Sequence, residues 1–102
     1  MKINKAIIII DDYIKEFYKK PKYRKETDIL DYKRKRYANW AAITIRTHID
    51  LNRDWEPICA LEDIRHTFDE IACEAKCSED NFRFSIAYDV ASDLLDQLIL
   101  EV

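Results

Sequence analysis

Glycine does not occur anywhere in the 102 residues. Tight hairpins, strand bulges and phosphate-cradling loops rely on glycine for positive φ. Its absence argues against an elaborate β fold and excludes the P-loop and dinucleotide-binding fingerprints. Long hydrophobic runs are missing as well. A membrane-spanning helix needs about 18 apolar residues, whereas the N-terminal apolar run is bounded by Lys5 on one side and by Asp11 and Asp12 on the other. It is not followed by a signal-peptide cleavage pattern. A cytoplasmic location without membrane contact is the expectation. Cysteine is scarce and odd in number, Cys59, Cys73 and Cys77, which fits reduced thiols in an intracellular compartment better than a disulfide framework.

Catalytic signatures are missing too. Ser78, Ser85 and Ser92 stand without the glycines of a nucleophile elbow, and neither His48 nor His66 has a suggestive neighbour at motif spacing. His48 falls on the presumed core stripe of its helix, where a hydrogen-bonded structural histidine is the ordinary explanation. The expectation is a non-enzymatic protein without a cofactor.

What is present is charge in quantity, 36% of residues, beside 48% hydrophobic residues. This is the balance of a folded chain, and the length suits a single domain with one core (residues 1–102). The net charge of −3 conceals a division. Residues 1–46 carry 13 Lys/Arg against 6 Asp/Glu, a balance of +7, and residues 47–102 carry 4 against 14, or −10. Such polarity can mark separate docking surfaces, draw the two halves together in the fold, or drive head-to-tail assembly.

The apolar spacing predicts four helices in a compact antiparallel bundle, at about residues 3–19, 28–51, 55–76 and 79–100. In the first, Ile3, Ala6, Ile7, Ile10, Ile14 and Phe17 form one stripe, ended by Lys19, Lys20 and Pro21. Four successive isoleucines also suit a short buried strand, but the stripe continues past them. Ile8 and Ile9 fall outside it and mark an apolar edge for self-association as a homodimer. In the second, Thr27 or Asp28 is placed as the N-cap and Asn52 as a left-handed closing residue. The core stripe there is Leu30, Tyr37, Trp40, Ala41, Thr44, His48 and Leu51. Asp54 is placed as the cap of the third helix, whose apolar face is Ile58, Leu61, Ile64, Phe68, Ile71, Ala72 and Ala75. The fourth presents Ala87, Ala91, Leu94, Leu95 and Leu98 inward. A competing pattern exists: Ile43, Ile45, Ile49 and Leu51, and again Phe82, Phe84, Ile86, Tyr88 and Val90, alternate at the period of a half-buried strand. An α+β fold with short strands near 43–51 and 82–90 is therefore the alternative.

The stretch DYKRKRYANW, residues 31–40, sets Lys33, Arg34, Lys35 and Arg36 between Tyr32 and Tyr37. Helical geometry puts Lys33 on the presumed core stripe, so the start of this helix is expected to overhang the bundle or to lay the lysine stem along its surface. With Lys19, Lys20, Lys22 and Arg24 these residues make a basic, aromatic-interleaved segment over residues 15–36. Cations that neutralise phosphates and rings that stack on bases are what a nucleic-acid surface requires. A solvated helix pair is the plainer account, and the acidic half would repel a polyanion, so any such binding is expected to be weak.

Cys59, His66, Cys73 and Cys77 recur on one side of the third helix, but a single helix can offer only two ligands at i, i+4, which does not close a zinc site. Small cysteines packed against a second surface are expected there. Asp89, Asp93 and Asp96, with Glu79 and Asp80 before them, form an acidic face on the fourth helix. Solvated charge is the plain account of it, and a docking face for a basic surface of a larger protein partner is the functional one. In general style the chain is similar to small accessory proteins of phages and mobile elements, some of which inhibit host-defence nucleases by covering a nucleic-acid site. No particular motif carries that likeness. The functional expectation is a protein-interaction module, a regulator or inhibitor, with nucleic-acid binding through residues 15–36 as the alternative.

Overall fold

The computed structural model describes residues 1–15 and 26–102, with side chains of the second helix from Leu30 onward. The described residues form four α-helices, α1 (Ile3–Lys15), α2 (Glu26–Leu51), α3 (Pro57–Glu74) and α4 (Ser78–Leu100), and contain no strand. The extension of the first helix to residue 19, Phe17 on its stripe and Pro21 as its stop lie outside them.

Consecutive helices run antiparallel. Asp11 of α1 meets Arg46 of α2 at 2.7 Å. His48 of α2 meets Asp63 of α3 at 3.1 Å. The Asn81 side-chain amide of α4 donates from Nδ2 to the Ala72 carbonyl of α3 at 2.9 Å. The Lys5 ammonium returns to Glu101 at 3.3 Å, joining α1 to the end of α4. α2 and α4 therefore run parallel to each other, and both α1 and α3 pack on the pair. At about 1.5 Å per residue, the 26 residues of α2 measure about 39 Å, close to the longest molecular dimension of 43 Å.

The two alternating stretches resolve as helix. Within 43–51 only Ile45 and Ile49 are buried, four residues apart, while Ile43 (44% exposed) and Leu51 (77%) face solvent. Through 82–90, Phe84, Ile86 and Tyr88 are partly buried against the core and Val90 is fully buried, as a helix enclosed on several sides requires. The α+β alternative is thereby overturned.

The stripe of α2 is rotated from the one expected. Ala41, Ala42, Ile45 and Ile49 are its buried residues, with Ala38 and Trp40 packed against them. Leu30 and Leu51 are exposed, and Thr44 and His48 are half-buried. Ala41 and Ala42 share the inward face with Ile45 and Ile49, four and three residues apart as one side of a helix requires. On α3, Ile71 is exposed and Ala75 has left the helix in extended conformation, while Pro57 and Ala60 join Leu61, Ile64, Phe68 and Ala72 inside. The inner face of α4 is as expected, with Val90 added.

The capping residues also differ. α2 begins at Glu26, so Thr27 and Asp28 lie within it rather than capping it. No described residue has positive φ. Asn52 instead closes α2 with its side chain, donating to the His48 carbonyl at 2.8 Å. α3 is capped by Glu56 and not by Asp54: its carboxylate accepts the Ile58 amide at 2.8 Å, and Pro57 fills the first turn, where no amide hydrogen is needed.

Candidate functional site: a braced basic end and an open acidic face

Three rings hold α2, α3 and α4 together at the end nearest the basic stretch. The Trp40 ring is 6.1 Å from Phe68 and 5.6 Å from Phe84, and Phe68 is 6.2 Å from Phe84. The Arg83 guanidinium lies over Trp40 at 5.1 Å and Phe84 at 4.8 Å. Aromatic pairs of this kind add about 0.5–1.5 kcal/mol each beyond the area they bury.

On this base the cations of α2 acquire partners. Lys33 is exposed rather than core-facing and reaches Glu79 of α4, Nζ to Oε1, at 3.5 Å. The Tyr37 hydroxyl donates to the same oxygen, and the Tyr37 ring packs edge-on to Phe82 at 5.9 Å. Arg34 lies over the Phe82 ring at 5.5 Å. Lys35 pairs within its own helix with Asp31 at 2.6 Å. Arg36 is exposed and forms no ion pair among the described residues. Tyr32 is exposed, and Lys19, Lys20, Lys22 and Arg24 lie outside the described residues.

These contacts move the affected pKa values in matched directions. The bond to Glu79 is the main influence raising the Tyr37 phenol above its usual value, since losing the proton would set two anions side by side. The same bond, reinforced by Lys33, holds the Glu79 carboxyl below its usual range.

Glu79 and Asp80, expected on the acidic docking face, are thus turned to other work. Glu79 serves the basic end of α2, and Asp80 pairs with Arg83 at 3.7 Å. Both also occupy the first turn of α4, where negative charge suits the helix dipole. Asp89, Asp93 and Asp96 remain together on one exposed stripe. None of the three forms an ion pair among the described residues. Asp93 lies near Tyr13 of α1, whose phenol is raised first by burial and then by that negative charge. Behind the stripe, Ala87, Val90, Ala91, Leu94 and Leu98 anchor α4 in the core.

The remaining candidates separate. Cys59, Cys73 and Cys77 are all exposed free thiols, so the second packing surface expected for them is not there. His66 pairs with Glu70 at 2.6 Å on the outside of α3. No group of three or more His, Cys, Asp or Glu among the described residues is placed to hold a metal ion. His48 sits at the edge of the core, against Asp63 and edge-on to Trp55 at 6.1 Å. Ile8 is 60% exposed while Ile9 packs against the core, so the apolar edge proposed for self-association narrows to one side chain. No described helix is long and apolar enough to cross a membrane.

The cross-chain role of Glu79 was not legible as a motif. The opposite charge of the two halves was its only trace, and it recurs in two more contacts between them, the Met1 ammonium with Glu56 at 2.9 Å and Lys5 with Glu101. No family model matches the sequence, and neither a curated protein nor a solved structure matches the chain.

Proposed function

We propose that this chain is a non-enzymatic protein-interaction module, a regulator or inhibitor acting in the cytoplasm, that docks through Asp89, Asp93 and Asp96 on a basic surface of a larger partner. One observation carries this reading: the three carboxylates share an exposed stripe and form no ion pair among the described residues, whereas Lys33 and Lys35 of the basic stretch are each paired with a carboxylate. Unpaired charge on a rigid helix steers encounter with an oppositely charged surface and loses little freedom on docking. Helical rise sets the three acids about 6 and 4.5 Å apart along the axis, a short track of negative charge. An inhibitor of the kind carried by phages and mobile elements, covering a basic site on a host protein, is the particular form this reading takes.

The test is capture of a partner from a nuclease-treated extract of the native cell, followed by calorimetry of the purified pair. The reading expects a protein whose affinity falls with rising salt and which the triple variant D89K/D93K/D96K no longer binds. A partner bound equally by the triple variant, or lost on nuclease treatment, would contradict it.

A further inference from the structure

The basic end of α2 already has an anionic occupant. One carboxylate oxygen of Glu79 receives both the Lys33 ammonium and the Tyr37 hydroxyl, the two donor types that commonly hold a phosphate oxygen. Around it stand Arg34, whose guanidinium carbon lies over the Phe82 ring 5.5 Å from its centroid, and exposed Arg36. A guanidinium layered on an aromatic ring is a platform on which a base can stack. We infer that the α2–α4 junction formed by Lys33, Arg34, Arg36, Tyr37 and Phe82 is a single-stranded nucleic-acid surface held closed by Glu79, whose carboxylate takes the place of a backbone phosphate.

The junction is distinct from the acidic face. Glu79 precedes Asp89 by ten residues, about 15 Å along α4. Displacement is feasible because both partners of the ion pair are about half exposed, and pairs of this kind hold weakly against solvent and salt. A strand offers several phosphates at once, so its attraction exceeds that of the single carboxylate it replaces. The Phe82 ring with the Arg34 guanidinium over it favours a strand with free bases, which can stack there, over an acidic peptide, which offers carboxylates but no bases.

Fluorescence anisotropy of a labelled oligothymidylate at low salt tests the inference with three variants. E79Q should bind about fivefold more tightly than the unmodified chain, the order that freeing one exposed ion pair can give. D80N removes the same charge one residue away and should change affinity by less than about twofold. K33A placed in the E79Q background should cancel the gain. Circular dichroism of each variant establishes that the helices are retained, and all three substitutions fall on exposed or half-exposed side chains. Equal affinity for E79Q and the unmodified chain would overturn the inference. So would a gain in D80N matching that in E79Q, which would mean bulk charge alone. Displacement of the strand by polyglutamate at equal charge concentration would overturn the nucleic-acid assignment.

Discussion

Lys33 and Glu79 lie 46 residues apart in sequence and 3.5 Å apart in space, Nζ to Oε1. The contact joins the positive half of the chain to the negative half at the point where the basic stretch would otherwise face solvent alone. Met1 with Glu56 and Lys5 with Glu101 repeat the arrangement at the other end of the bundle. Part of the charge polarity therefore serves the fold itself. Among the described residues, Asp89, Asp93 and Asp96 form no such pair.

Tyr37 reports on this junction. Its phenol should ionise above the ordinary value of 10.0 in the folded chain, mainly because Glu79 accepts its hydrogen bond. A folded pKa above the unfolded one means the contribution to stability is whole below that ordinary value and is lost as pH rises through the folded one. Ultraviolet difference absorbance should show Tyr13 and Tyr37 titrating late, and E79Q should move only the Tyr37 contribution toward the ordinary value. An unchanged titration in E79Q would remove Glu79 as the cause.

Glu56 should give acid-dependent stability. Burial is the largest single influence and pushes its carboxyl up, but the Met1 ammonium and the amides of Ile58 and Cys59 together outweigh it, and the pKa is lowered. A lowered folded pKa contributes stability above the unfolded value that disappears as pH falls through the folded one. E56A should cost about 0.5–1 kcal/mol near neutral pH, at the low end for a cap because the side chain is exposed and its ion pair screened. Urea unfolding of both proteins should converge as pH falls through the lowered folded value of the carboxyl. A penalty that persists in acid would point to packing instead.

Ile45 and Ile43 separate the helical register from the strand register. Ile45 is fully buried and Ile43 is 44% exposed. Ile45→Ala should cost about 2–4 kcal/mol through lost burial and a cavity, and Ile43→Ala less than about 1 kcal/mol. Urea denaturation of the two variants checks this, and comparable losses would contradict the register of α2.

The unmodified chain should bind single strands weakly and lose them at physiological salt. Glu79 occupies the junction, and residues 47–102 carry a balance of −10, which opposes the approach of a polyanion. Filter binding over a salt series measures it. Submicromolar affinity at about 150 mM salt would show the basic stretch to be an open platform.

The helices were legible because their apolar residues recur at helical spacing: Leu94, Leu95 and Leu98 could face only one way, and all three are buried. The face of α2 was not. Leu51 is more hydrophobic than Ala41 or Ala42, yet it is exposed and they are buried, because which face turns inward depends on neighbours remote in sequence. Glu56 was hidden as a cap because Asp54 is the more usual capping residue, and the outcome depends on the turn holding Trp55 and Pro57. At the candidate surfaces, Asp89, Asp93 and Asp96 could be placed on one exposed face from spacing alone. That Glu79 would leave their company to brace Lys33 and Tyr37 depends on the register between α2 and α4, which no local pattern encodes.

The central claim is that the stripe Asp89, Asp93 and Asp96 is the docking surface. Its most direct test is calorimetric affinity for the purified partner of two charge-reversed proteins, D89K/D93K/D96K and K33E/R34E/K35E/R36E, each first shown to be helical by circular dichroism. The acidic reversal should abolish binding and the basic reversal should weaken it only slightly. Loss of binding in the basic reversal, with the acidic reversal left intact, would contradict that claim.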